Sequence, residues 1–179
     1  MKKITVVGCG KTGRAFAYSM LKQGNIVRLF DINERMMMGA YMDLYFCGHV
    51  KAGLGDKPDL IFLSAASSDL STILLSVDLA SVGDRSVPIY VFSNPVKEIA
   101  QALKAKGYLH VLPCDASLDR ARHFRPVEIQ EDIHASPVNK ELYETREHWL
   151  KLQEEEYFTP SIYNAIYFAE KQLKRLKMI

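Results

Sequence analysis

The sequence predicts an α/β chain built on a doubly wound parallel sheet, and three observations carry that expectation. Short apolar runs alternate with amphipathic helical patterns along the first two thirds of the chain. The first apolar run leads directly into Gly8-Cys9-Gly10-Lys11-Thr12-Gly13, which in turn opens a helical pattern. The second run, Ile26 to Phe30, ends in Asp31, about 20 residues past the glycines.

The bulk properties fit such a fold. The chain has 179 residues, of which 48% are apolar and 25% charged, enough for one domain with ample core or one domain with a small appendage. Its net charge of +2 gives no reason to expect nucleic acid or an anionic membrane as partner. Cys9, Cys47 and Cys114 are widely spaced and form no C-x-x-C pair, so neither a metal site nor a disulfide framework is expected. Met-Lys-Lys runs straight into a core strand, and no apolar stretch approaches membrane-spanning length. A soluble protein of a reducing cytoplasm is expected.

The elements follow in order. Ile4 to Val7 forms the first strand. Ala15, Phe16, Tyr18, Met20 and Leu21 give the first helix an apolar face, and Gly24-Asn25 stops it. After the strand Ile26 to Phe30, a helix runs from about Glu34 to Cys47, with Met37, Tyr41, Leu44 and Tyr45 at helical spacing. The Met36-Met37-Met38 cluster reads as adaptable core filling rather than a binding surface. Gly48 to Pro58 reads as a loop. Asp59 to Ser64 is a strand whose unbroken apolar run suits burial on both faces.

Ala65 to Val82 is expected to be helical and to end at Gly83-Asp84. The strand Ile89 to Phe92 leads into Ser93-Asn94-Pro95-Val96, a helix continues to about Lys106 and stops at Gly107, and Leu109 to Leu112 is a fifth strand. Alternation through about five strands places a ligand edge at the strand C-termini, with residues 1–114 forming the dinucleotide-binding domain. Ser136-Pro137 and Thr159-Pro160 announce two final helices in a second region, 115–179. The last aligns Ile162, Ile166, Ala169, Leu173 and Leu176, and its terminal Lys174-Arg175-Leu176-Lys177 complements the helix dipole.

The glycine fingerprint, a strand before it and a helix after it are what a pyrophosphate needs: backbone N–H groups at a helix N-terminus with no Cβ in the way. The expected cofactor is NAD, because Asp31 is suited to a ribose 2′-hydroxyl and repels a 2′-phosphate, although Arg35 lies nearby. The alternative is a glycine-rich turn that binds no cofactor.

Several segments together resemble the lactate/malate dehydrogenase family. They are Val6-Val7-Gly8-Cys9-Gly10-Lys11-Thr12-Gly13, then Phe30-Asp31-Ile32-Asn33-Glu34 followed by Gly39 and Met42-Asp43-Leu44, and then Ser93-Asn94-Pro95-Val96. Leu118-Asp119-Arg120-Ala121-Arg122 is similar to the family's Leu-Asp-x-x-Arg helix. The resemblance implies that Gly8, Gly10, Lys11, Thr12, Gly13, Asp31, Ala65 and Asn94 bind NAD. It also implies that Asn94 lies beside the nicotinamide and substrate, that Arg122 pairs with the carboxylate of a small acid, and that Asp119 orients a catalytic histidine. In the family that histidine polarises the substrate carbonyl while hydride moves between nicotinamide and carbon.

The sequence departs from the family at three points. Ser67-Ser68-Asp69-Leu70 stands where the family has a longer, arginine-bearing mobile loop that closes over substrate. Gly48 to Pro58 is expected to be too short for the family's third strand. No His-Gly-Asp-Ser-like segment is present, and His134 is the nearest substitute, though it reads as well as a surface or capping histidine. The same holds for His49, His110, His123 and His148. Asp119 and Arg122 also read as a local ion pair, and Asn94-Pro95 as a strand-ending turn.

Three functions are therefore weighed. The first is an NAD-binding protein derived from 2-hydroxy-acid dehydrogenases whose chemistry is impaired or lost. The second is a working oxidoreductase that uses Asp119, Arg122 and His134. The third is a structural or regulatory protein that forms a homodimer through its C-terminal helices, where Tyr163, Tyr167 and Phe168 widen the apolar stripe.

Overall fold

A computed structural model describes residues 1–65, 69–114 and 160–179. The chain divides into two compact units, Met1–Cys114 and Asp115–Ile179.

The first unit holds six strands: β1 (Lys3–Val7), β2 (Ile26–Phe30), β3 (Val50–Ala52), β4 (Leu60–Leu63), β5 (Ile89–Val91) and β6 (Val111–Pro113). They pair in parallel in the order β3-β2-β1-β4-β5-β6. The order reverses between β1 and β4, so the crevice for a ligand lies at the C-terminal ends of those two strands. This is the Rossmann topology. β3 corrects the expectation of a loop over Gly48 to Pro58. Three residues suffice, because Val27, Arg28 and Leu29 of β2 pair with Val50, Lys51 and Ala52, and so short a strand leaves little periodicity to read.

Four helices belong to this unit: α1 (Lys11–Lys22), α2 (Glu34–Leu44), α3 (Leu70–Ala80) and α4 (Val96–Ala105). α1 buries Ala15, Phe16, Ala17, Tyr18, Met20 and Leu21. The Phe16 ring lies on Phe62 of β4, with centroids 3.7 Å apart, and Phe62 is flanked by Tyr90 and Phe92. Gly24 ends α1 at φ +78°, its N–H reaching Leu21 O at 2.9 Å while Asn25 N–H reaches Met20 O at 3.1 Å. That pair of bonds satisfies the last carbonyls, as a left-handed glycine allows.

α2 is capped by Asn33, whose side chain accepts from the N–H groups of Arg35 and Met36. It ends earlier than expected, and Tyr45–Cys47 continue as one 3-10 turn. The helix buries only Ala40 and Leu44. Met36 and Met38 are 38% and 41% exposed, with Met42, Tyr45 and Phe46 more so, which corrects the expectation of core filling. The buried face is narrow, and part of it is taken by Asp43.

α3 also starts later than expected, at Leu70, because Asp69 caps it by accepting from Ser71 N–H at 3.0 Å. Between β3 and β4 the chain crosses the sheet without a helix. Arg28 of β2 holds this crossover: its Nη1 donates to Leu54 O at 3.0 Å, and its guanidinium fills the space that a Cβ on Gly55 would occupy, 2.0 Å from Arg28 Cζ.

In the second unit, α5 (Pro160–Arg175) begins at the proline expected to open it and closes on Lys174 and Arg175. Ile166, Ala169 and Leu173 are buried, whereas Leu176 is 45% exposed and falls outside the stripe. Lys171 Nζ lies over the Tyr167 ring at 5.6 Å. No helix among the described residues is long and apolar enough to cross a membrane.

Candidate functional site

Each glycine of the fingerprint has a different local environment. Gly8 ends β1 at φ +97°, and a Cβ there would stand 2.5 Å from the backbone nitrogen of Ala65. A Cβ on Gly13 would stand 1.9 Å from Gly8 O and 2.8 Å from Ser64 Oγ. These two glycines are demanded by the chain itself, one for backbone conformation and both for close packing of turn, helix and strand. Gly10 is different. Its φ of −72° and ψ of −171° are open to any residue, and a Cβ built on it meets no atom within 4 Å. Nothing in the packing of the described residues requires glycine there.

Gly10 is the N-cap of α1, which has no side-chain cap and no acidic residue in its first turn. The helix therefore presents its positive end to the crevice with no carboxylate in its own first turn. Lys11 is exposed and Thr12 half-buried beside that end.

Two side chains hold the turn in shape. Asp31, just past β2, accepts from Cys9 N–H at 2.8 Å through Oδ2 and from Asn33 N–H at 2.9 Å through Oδ1. The carboxylate thus stands beside the fingerprint, half-buried, where its remaining lone pairs can accept from a ribose hydroxyl. Arg14, in the first turns of α1, donates through Nε to Cys9 O at 2.9 Å and pairs through Nη1 with Asp43 of α2. Sequence reasoning missed Arg14, since a charge within a helical pattern reads as solvent-facing and its partner lies 29 residues on. Cys9 is no nucleophile: burial, with the Asp31 charge adding and Arg14 opposing, pushes its thiol up to about 12.

Ser64 and Ala65 follow β4, and Ser64 Oγ donates to Gly8 O at 3.0 Å. Ala65 thus lies against Gly8, beside the fingerprint. Asn94 is exposed just beyond β5, with a cis bond to Pro95. Gly8, Gly10, Lys11, Thr12, Gly13, Asp31 and Ala65 are gathered around the β1 end of the sheet, and Asn94 lies farther along the same edge, past β5.

Asp119, Arg122 and His134 lie outside the described residues, as do His123 and His148. His49 and His110 are exposed and precede β3 and β6, at the sheet edge opposite the fingerprint. No group of three or more His, Cys, Asp or Glu side chains among the described residues is placed to hold a metal ion.

No known family profile matches the chain. It is 30% identical over 149 residues to L-lactate dehydrogenase of Treponema denticola, covering 68% of this chain and 47% of that protein. The chain thus spans about half the length of the curated relative it matches. Among solved structures, 3-hydroxyisobutyrate dehydrogenase of Mycobacterium tuberculosis with L-serine aligns at a TM-score of 0.48 and 16% identity, over 63% of this chain and 38% of that one. A variant imine reductase of Myxococcus stipitatus in complex with NAD+ aligns at 0.46 and 20% identity, over 62% of this chain and 39% of that one. Prephenate dehydrogenase of A. aeolicus, also with NAD+, aligns at 0.44 and 18%, over 57% of this chain and 38% of that one. The strand order, the glycine turn at its switch point and the similarity to L-lactate dehydrogenase make the first unit a dehydrogenase-type dinucleotide-binding fold.

Proposed function

We propose that the chain binds NAD at the C-terminal ends of β1 and β4 and descends from 2-hydroxy-acid dehydrogenases of the lactate/malate type, with its hydride-transfer chemistry impaired or lost. The observation that carries the binding half is Gly10, a glycine that neither backbone conformation nor packing among the described residues explains. Close approach of a pyrophosphate explains it, and the uncapped end of α1 supplies matching charge.

In this reading the backbone from Gly8 to Gly13 holds the pyrophosphate and Asp31 accepts from the adenosine ribose. NAD, when bound, supplies the hydride chemistry. Asp31 sets the preference for NAD, because a 2′-phosphate would face its carboxylate. The impaired half is supported by chain length at one place: only Ser64 to Asp69 separates β4 from α3, and no arginine lies among those six residues. A loop able to cover substrate and polarise its carbonyl needs more chain and a cation.

The second reading, a working oxidoreductase on a small carboxylic acid, is favoured by Asn94, which stays exposed beyond β5 on the same edge of the sheet. Measuring NADH binding and NADH oxidation in parallel, with and without small 2-oxo acids, separates the two. Binding with negligible turnover is expected. Turnover at rates of about 10 per second or more, ordinary for enzymes, would overturn the impaired half and leave the binding half standing.

A further inference from the structure

One face of the sheet departs from the ordinary pattern of parallel strands, which carry nearly continuous apolar runs because both sides are covered. On the side of α1, where Phe16 lies on Phe62, the paired residues Ile4, Val6, Val27 and Leu29 are all buried. The other side is polar. There β1, β2 and β3 bring Lys3, Thr5, Ile26, Arg28 and Lys51 together, since the register pairs Lys3 with Ile26, Thr5 with Arg28 and Arg28 with Lys51, and paired residues of neighbouring strands share a face. All five line an open crevice of about 340 Å³. Asp56 is the one acid among the described residues of that lining, against three cations.

The cations are placed at a cost. Arg28 and Lys51 stand directly opposite on adjacent strands, where like charges repel. Arg28 is also held in position: its Nη1 donates to Leu54 O at 3.0 Å, and its guanidinium lies against Gly55, which has no Cβ to exclude it. A carbonyl is neutral, so it fixes the guanidinium without offsetting its charge. Lys3 and Lys51 are exposed, and their flexible stems let the ammonium groups turn inward. Thr5, 3% exposed, brings a hydroxyl beside Arg28. An anion seated among these groups converts the repulsion into attraction.

We propose that this crevice is a phosphate site, its occupant a dianionic phosphate group, free or esterified to a small molecule, held by Lys3, Arg28 and Lys51. Charge decides the class. Three cations against one carboxylate leave a surplus that a phosphate of about −1.5 to −2 matches and a single carboxylate only half matches. The planar fork of Arg28 suits two phosphate oxygens, and the lysines act as point charges. Ile26 offers an apolar wall to the body of an ester. Lys3 and Ile26 open their strands, whereas Gly8 and Asp31 follow the opposite ends, so the site is separate from the fingerprint and independent of the dinucleotide reading.

The test uses the full chain as wild type, Lys3→Gln, Lys51→Gln and, as a control for charge alone, Lys104→Gln on the exposed side of α4. Each is titrated calorimetrically with inorganic phosphate, glycerol 3-phosphate and acetate at constant ionic strength, and melted without ligand. Wild type and Lys104→Gln are expected to bind a phosphate saturably, with acetate at least about tenfold weaker, and Lys3→Gln and Lys51→Gln to bind that phosphate about tenfold more weakly than wild type. The ligand-free melting temperature of Lys51→Gln should be unchanged or higher, since the variant removes a repulsion. Tighter binding of glycerol 3-phosphate than of inorganic phosphate assigns the site to an ester, and the reverse to the free ion. Wild-type phosphate affinity in both lysine variants would place the ion elsewhere, the start of α1 included, and overturn the site. Equal weakening in Lys104→Gln would overturn it as a general effect of charge, and acetate binding as tight as phosphate would overturn the dianion. Absence of saturable binding of either phosphate to wild type at millimolar concentrations would overturn the proposal outright.

Discussion

Arg14 and Asp43 form an ion pair in which each side chain is only 6% exposed, and it joins the glycine turn to α2. The same guanidinium donates to Cys9 O at 2.9 Å, so one residue sets the carbonyl in the middle of the fingerprint and the seat of the next helix. Removing one partner of a buried pair strands the other charge. Asp43→Ala is expected to cost about 3–5 kcal/mol in urea unfolding, and the double change Arg14→Met with Asp43→Leu is expected to recover most of it. An Asp43→Ala loss below about 1 kcal/mol, the range of an exposed pair, would contradict this role.

Gly10 and Gly13 are expected to respond in opposite ways to an added methyl group. Gly13→Ala drives a Cβ to within 1.9 Å of Gly8 O, which forces helix and turn apart, at a cost of about 1–3 kcal/mol or more. Gly10→Ala places a Cβ more than 4 Å from any non-neighbouring atom of the described residues and is expected to change stability by about 0.5 kcal/mol or less, while weakening NADH binding more than tenfold. Thermal melts and calorimetric titrations on the two variants check both halves. Gly10→Ala binding NADH as tightly as wild type would remove the strongest support for the pyrophosphate site.

Thiol reactivity reports on the same turn. Burial pushes the Cys9 thiol up to about 12, so at mildly alkaline pH almost none of it is thiolate. Burial also raises Cys47, less completely, since that residue is half-buried. In native protein at about pH 8, a thiol reagent is expected to label Cys47 first and Cys9 at the rate of unfolding. Peptide mapping that found both labelled at one rate would mean that the glycine turn opens freely.

Asp78 of α3 is the centre of a cluster at the opposite edge of the sheet. Burial pushes its carboxyl up, but hydrogen bonds from Lys106 and Tyr108 and the charges of Lys106 and Arg85 outweigh burial and hold it below the ordinary range. A carboxyl lowered on folding contributes stability above its unfolded value of about 4. That contribution is lost as pH falls through the lower folded value. Asp78→Asn is therefore expected to cost about 1 kcal/mol at neutral pH, and that cost is expected to shrink as pH falls below the unfolded value of about 4. A difference that stayed constant as pH fell through the acid range would mean that the aspartate acts through packing rather than charge.

The sequence showed those parts of the fold that rest on local rules. The glycines of the fingerprint, Asp31 at the end of β2, the stop at Gly24 and the proline start of α5 each act within a few residues, and each stands where expected. What it concealed depends on distant contacts. β3 is three residues long and exists because β2 offers it a pairing edge. Arg14 carries no local signal of its role, because its partner Asp43 is far along the chain. Arg28 lies within a strand pattern that says nothing of the crossover it holds, which has no helix of its own. The methionines of α2 carried an apolar period, but an apolar period does not say whether another layer lies above it.

Calorimetric titration of the full chain with NADH and, separately, NADPH tests the central claim most directly. Saturable binding of one NADH per chain is predicted, with NADPH at least about tenfold weaker, which is about 1.4 kcal/mol of discrimination by Asp31. Absence of heat with either nucleotide would contradict the dinucleotide site and leave Gly10 without an explanation.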